Sequence, residues 1–173
     1  MLYLQSTKKA LSRLGLGGDK LPGPGVTESA LGNWFVNLVP IGGREAYLFM
    51  STRSLLSFPI MIGQYEPGPE DMQEFLLHGV SQLMKSLKIP RVQSTQLLQD
   101  LSEVVICTNT DRSLVGVHSA IANEYYQRFA EHYHLPRTDI GSVIMEANTT
   151  PRAVLKWSHS FEVTVQLLSA SVA

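Results

Sequence analysis

Two short stretches carry the side chains best suited to chemistry, Ser6-Thr7-Lys8-Lys9 and Thr108-Asn109-Thr110-Asp111-Arg112-Ser113. Each follows a run that reads as a β-strand, Leu2 to Gln5 and Val104 to Cys107, and each opens a helix. Ser6 or Thr7 suits the cap of the first helix, and Thr110 or Asp111 that of the second. If the two strands are parallel neighbours, Thr7, Lys8, Lys9, Asn109, Asp111, Arg112 and Ser113 gather at one edge of the sheet. Backbone N–H groups, cations, hydroxyls and amides in one place are what a phosphate or carboxylate requires. Exposed lysines at a helix start oppose the dipole by about 0.3–1 kcal/mol, so a neutralising partner is expected. Asp111 pairing with Lys8 or Arg112 would supply it, and so would a bound anion.

Other chemistries lack their residues. His132 and His134 lie two apart on a helix and diverge by roughly 200°, and His118 and His132 share a face but stand about 21 Å apart. No metal-ligand spacing results, and neither a metal nor a cofactor is expected. Cys107 sits inside the apolar run VVICT, where a lone cysteine is a small buried hydrophobe; only a nearby cation or helix terminus would make it reactive. The glycines of GLGG, Gly15 to Gly18, follow a helix rather than a strand, so they read as a helix stop and not a phosphate loop. Glu66, Glu70, Asp71 and Glu74 lie at the start of a helix, where negative charge is stabilising.

The elements that must position the two junctions can be read from pattern. Thr7 to Leu14 is a helix ended by Gly15, and Gly15 to Gly32 is a Gly/Pro-rich loop, read as mobile or as a lid. Asn33–Ile41 and Glu45–Ser51 form a hairpin about GGR, whose glycines tolerate positive φ. Alternation places Asn33, Phe35 and Asn37 on one face of its first strand and Trp34, Val36 and Leu38 on the other. Trp34 is therefore expected in the core, and Asn37 joins the site if its face meets the junctions. Leu55 to Ile62 is a strand that Pro59 restricts to an edge or a bend.

Pro69 to Leu87 is an amphipathic helix, and Ser94 or Thr95 caps a shorter one through Leu101. Val104 to Cys107 reads as a buried strand. Arg112 to about Tyr133 is the longest helix, with Leu114, Val117, Ile121, Tyr125 and Phe129 along one stripe. DIGSVIMEAN, 139–148, suggests a further strand, TTPRAVLKW a helix begun by Pro151, and SFEVTVQLL a helix. The pattern is α+β, a small mixed sheet with a central hairpin packed by about four to five helices in a single layer pair.

The chain has 173 residues, 14 Lys plus Arg against 15 Asp plus Glu, and 44% hydrophobic residues, so one globular domain over 1–173 with a near-neutral surface is expected. A net charge of −1 gives nucleic acid no extended basic stripe, and a small anionic ligand or a protein partner is favoured over it. No run reaches the roughly 18 apolar residues of a membrane span. The single cysteine, Cys107, excludes an intrachain disulfide and leaves a cytoplasmic location as the default.

The blocks STKKAL, LGNWFVNLVPIGGREAYLFMSTRSLLSF, NTDRSLVG and TTP resemble the successive blocks of a family of uncharacterised bacterial domains of unknown function. Members of that family occur alone or joined to a plasmid-type open-reading-frame domain. The resemblance runs from Met1 to about Pro151 and implies no activity, substrate, cofactor or catalytic residue. It implies that the lysine turn, the Trp-Asn hairpin and the Asp-Arg-Ser turn belong to one module. The long Gly/Pro loop and the lengthened stretch from Pro136 to Ala147 depart from its pattern, and leave loop-borne specificity open.

The expected function is thus a binding or regulatory domain that recognises an anionic group at the paired junctions. A hydrolase or phosphodiester-cleaving enzyme using Asp111 as base or metal ligand and Lys8 as transition-state stabiliser is the second reading. Its local motifs lack a second carboxylate or histidine. A structural or oligomeric adaptor is the third.

Overall fold

The computed structural model describes residues 1–17, 20–132 and 140–171, with His132 described by its backbone alone. The expected end of the long helix at Tyr133, His134, Gly18 of the GLGG run and the beginning of the lengthened stretch at Pro136 lie outside these residues. The chain adopts an α+β fold around a small mixed sheet. Five strands, β1 (Leu2–Ser6), β2 (Trp34–Ile41), β3 (Arg44–Ser51), β4 (Ser57–Met61) and β5 (Val104–Thr108), are ordered β4-β3-β2-β1-β5. β2, β3 and β4 form an antiparallel meander, whereas β1 runs parallel to both β2 and β5. The β2–β3 turn is made by Gly42 and Gly43, with φ of 57° and 76°, a left-handed pair that glycine alone adopts without strain.

Six α-helices are described: α1 (Lys8–Arg13), α2 (Asp71–Ser86), α3 (Arg91–Asp100), α4 (Arg112–His132), α5 (Ile140–Thr149) and α6 (Ser160–Ala170). They lie on both faces of the sheet, adding a layer to the pair expected from the sequence. On one face Leu2, Leu4, Trp34, Val36, Tyr47 and Phe49 form a core with Ala10 of α1, Leu14 just after it, Leu76 and Val80 of α2 and Leu97 of α3. Opposite, Phe35, Val39, Leu48 and Met50 pack against Ile121, Tyr125 and Phe129 of α4 and Val143 and Ala147 of α5. This division is the period-two alternation of β2 and β3 made physical. Trp34 is fully buried, as its position in the alternation requires.

Four readings of the sequence are corrected. Of the segment expected as a strand at 139–148, the first residue lies outside the described ones and the rest is α5, because Ile140, Val143, Ile144 and Ala147 recur at three and four and pack on the α4 face. Pro151 starts no α-helix. Only a 3-10 turn, Ala153–Leu155, forms there, and it ends at Lys156 and Trp157, both left-handed with φ of 53° and 67°. α3 begins directly after Pro90, so Ser94 and Thr95 lie inside it and the Ser94 hydroxyl donates to the Arg91 carbonyl oxygen. β5 is an edge strand in which Cys107 alone is fully buried.

Both sheet edges are closed in part by side chains or loop. At β4 the Ser57 N–H donates to Asn148 Oδ1 at 2.9 Å, and Asn148 Nδ2 donates to the Ser57 carbonyl oxygen at 2.8 Å. The Asn148 amide thus occupies the place of a further strand on an edge that Pro59 already keeps terminal. At β5 the Thr108 N–H donates to the Pro22 carbonyl oxygen at 3.0 Å. The Gly/Pro segment is further held by Asn33, whose Nδ2 donates to the Gly25 carbonyl oxygen at 2.8 Å. A Cβ on Gly25 would come within 2.5 Å of the Tyr3 ring, so glycine is required there for the close approach. From Pro22 to Gly25 the expected mobile loop or lid is a tethered strap across β1 and β5.

A charge network joins α4 to α5 and to Arg152 just beyond it. Glu124 accepts from Arg152 at 2.9 Å and from Arg128 at 2.9 Å, and Arg128 also reaches Glu146 at 3.0 Å. Deeper in the same layer, the His118 ring on α4 is fully buried, tilted against Phe35 at 4.8 Å, with Nε2 2.9 Å from the Leu48 carbonyl oxygen. Donation from Nε2–H to that oxygen leaves Nδ1 unprotonated and without a partner. Burial pushes the imidazole down to about 4.

Replacing Asn148 by leucine leaves the Ser57 N–H buried and unpaired, and should destabilise the fold by roughly 1–3 kcal/mol in urea unfolding. An unchanged midpoint would show that the amide does not seal the edge. His118 stays neutral in the folded chain while the unfolded chain takes up a proton below about 6.5, so folding stability should fall as pH drops from about 6.5 to about 4 and level off below. The full loss is on the order of 3 kcal/mol. In His118→Phe that slope should be absent; an equal slope would assign the acid sensitivity elsewhere.

Candidate functional site

β1 and β5 end in register, Ser6 opposite Thr108, and the Asn109 N–H donates to the Ser6 carbonyl oxygen at 3.3 Å. From these adjacent ends the chain departs in opposite senses. α1 packs on the face that carries α2 and α3, whereas α4 packs on the other. Strands that leave to opposite faces cannot close the space between their exits, and a crevice opens beyond their carboxyl ends.

The crevice is a cavity of about 860 Å³. The first junction contributes Ser6, Thr7, Lys8, Leu11 and Ser12, and the turn after α1 contributes Gly15, Leu16 and Gly17. Thr108, Asn109, Thr110, Arg112 and Val115 come from the second junction. Lys8, Leu11 and Ser12 share a helical face by their spacing of three and four, as do Arg112 and Val115 by theirs. Four of the seven residues nominated by the sequence, Thr7, Lys8, Asn109 and Arg112, therefore border one cavity. Lys9 is exposed outside its lining, and Asp111 and Ser113 also stand outside it.

The hydrogen bonds divide these residues into two kinds. Thr7 is the N-cap of α1: its Oγ1 accepts from the Ala10 N–H at 3.2 Å and donates to Asn37 Oδ1 at 2.6 Å. Asn37 thus does meet the first junction, and it does so by fixing the cap. In the second junction Asn109 Oδ1 accepts from the Asp111 N–H at 3.1 Å, and Asn109 Nδ2 donates to the Asp111 carbonyl oxygen at 3.0 Å. Asp111 Oδ1 accepts from both the N–H and the hydroxyl of Ser113, at 2.8 and 2.7 Å, which holds its carboxyl below the usual carboxylate range. Asp111 is the cap of α4 and pairs with neither Lys8 nor Arg112; the expected ionic tie between the helices does not form among the described residues.

Lys8, Arg112, Ser12 and Thr110 have no side-chain partner among the described residues. Among the described residues, Lys8 and Arg112 are also the only charged ones of the lining. Arg13, on the far side of α1, shows the contrast, since it is held by Glu45 at 3.3 Å and Glu66 at 2.6 Å. The cavity is therefore bordered by two cations that no carboxylate of the described residues meets at contact distance.

Leu11, Ser12, Leu16, Val115 and the glycines escaped the sequence reading. Helical spacing from Lys8 and Arg112 points to Leu11, Ser12 and Val115, but the glycine turn returns to the cavity only through tertiary packing. No histidine, cysteine, aspartate or glutamate among the described residues lines the cavity. Cys107 precedes Thr108 in β5 but is fully buried, and burial pushes its thiol up to about 11. Among the described residues no group of three or more His, Cys, Asp or Glu is placed to hold a metal ion. None of their helices is long and apolar enough to cross a membrane.

A family model described as a domain of unknown function (DUF6933) matches residues 3–163, and the chain belongs to that family. No curated protein matches the chain, and no solved structure does.

With its thiol buried and protonated, Cys107 should not react with a disulfide reagent in the native protein at pH 8, and should react fully in urea. Fast native labelling would mean that the β5 edge opens readily and that Cys107 is available to the crevice.

Proposed function

We propose that this DUF6933 chain is a binding module that takes a small anionic molecule into the crevice beyond the carboxyl ends of β1 and β5. The observation that carries the reading is the pair of unpartnered cations, Lys8 and Arg112, facing a cavity whose described lining holds no carboxylate. Directed hydrogen bonds are available from the hydroxyls of Ser12 and Thr110, which no other described group uses. Thr7, Asn37, Asn109, Asp111 and Ser113 act one step back, holding the two helix starts in place.

Binding is favoured over turnover by what the lining lacks. General acid–base chemistry needs a titratable group within hydrogen-bond reach of the reacting atom, and the described residues of the lining offer only the lysine and the arginine. Asp111, the base of the hydrolase reading, spends Oδ1 on Ser113 and stands outside the cavity. A small ligand is favoured over nucleic acid because two cations on a chain of net charge −1 make no track for a phosphate backbone.

Titration with inorganic phosphate and with acetate, followed by amide NMR, tests the reading. The shifts should centre on Lys8 to Ser12 and Thr110 to Val115. Because Lys8 and Arg112 are exposed, the double variant Lys8→Ala, Arg112→Ala should fold with an unchanged melting temperature and lose the shifts. Salt should weaken the interaction, since charges at an open crevice are screened beyond about 10 Å at 0.1 M. Shifts that map elsewhere, or that persist in the double variant, would sink the proposal.

A further inference from the structure

We infer that the anion is one end of a 5′-mononucleotide, its phosphate at Lys8 and Arg112 and its planar base against the apolar end of the same crevice. The inference rests on the anion-binding reading and adds the body that carries the charge. Cavities of about 300–1,000 Å³ hold drug-sized molecules, and this one, at about 860 Å³, would leave most of its space to water around a bare oxyanion. Much of that space is walled by apolar groups, from Leu11, Leu16 and Val115. Val115 is 39% exposed where α4 borders the crevice, so its apolar side chain is accessible to a ligand there.

Lys8 and Arg112 stand on the first turns of their helices, and Leu11 and Val115 come three residues later on each, about 4.5 Å along the axis. The free hydroxyls of Ser12 and Thr110 complete the lining. Together the cations, the hydroxyls and the apolar side chains offer partners for a phosphate, a sugar and a base.

Gly17 argues for a flat body. Its φ is not left-handed, and a Cβ there would meet no atom of the described residues within 4 Å, so neither backbone strain nor packing against those residues asks for glycine. It borders the crevice beside Leu16, which is itself anchored against the core. A bare peptide plane next to a fixed leucine lets a ring lie flat. An alkyl chain would gain no comparable fit and would lose rotamer freedom on entering.

The test is a calorimetric and NMR titration of the intact chain with AMP, GMP, CMP and UMP, alongside adenosine, glycerol 3-phosphate, hexyl phosphate and inorganic phosphate. At least one mononucleotide should bind tenfold or more tighter than every non-nucleotide phosphate. Its shifts should span Leu11 to Gly17 and Thr108 to Val115, and Gly17→Val should weaken it tenfold or more. Glycerol 3-phosphate, hexyl phosphate or inorganic phosphate binding as tightly as the nucleotides would overturn the inference while leaving the anion site standing. Adenosine binding as tightly as AMP, with no response to Lys8→Ala and Arg112→Ala, would overturn the anion reading itself. If no nucleotide binds, the inference falls, and phosphate alone then decides the underlying reading.

Discussion

The architecture turns on the parallel, in-register pairing of β1 with β5. Ser6 and Thr108 end side by side, and the helices that succeed them leave to opposite faces of the sheet. Everything of functional interest depends on that divergence. The two helix starts become neighbours, a crevice is left between them, and lysine and arginine that are 104 positions apart by number come to border one cavity. Residues along a single helix could not produce this arrangement, because the two sets of polar groups belong to different layers.

A parallel pair joined onto an antiparallel meander has two open edges, and the chain handles them differently. β4 is closed by one side chain, Asn148, which imitates a strand's backbone, and by Pro59, which donates no hydrogen bond. β5 is met instead by the Pro22 to Gly25 strap, fixed through Thr108, Asn33 and the close approach of Gly25 to Tyr3.

Within the junctions, polar side chains are divided between building and binding. The most conspicuous ones in the sequence, Asn109, Asp111 and Ser113, satisfy one another and the first turn of α4. Thr7 and Asn37 do the same for α1. The remainder is less conspicuous: two cations, two hydroxyls and a few apolar side chains. Thus the local density of polar residues marked where the crevice opens, while the side chains left without a partner among the described residues are those that the caps do not consume.

The sequence by itself determined those features that depend on near neighbours. Strand and helix periods, the Gly42-Gly43 turn, the edge position of Pro59, the burial of Trp34 and the two capped junctions are all set within a few residues, where φ preferences and alternation act. The same local reasoning misread 139–148, because its isoleucines and valine suit a strand until α4 offers them a helical seat. It also offered Asp111 as a partner for Lys8, since charge can be counted in a sequence but the direction of a carboxylate cannot. Only the tertiary structure decided which strands lie together, on which face each helix packs and which polar groups remain unspent. Those depend on long-range packing of apolar faces and on hydrogen-bond geometry, and neither is encoded at any single stretch of chain.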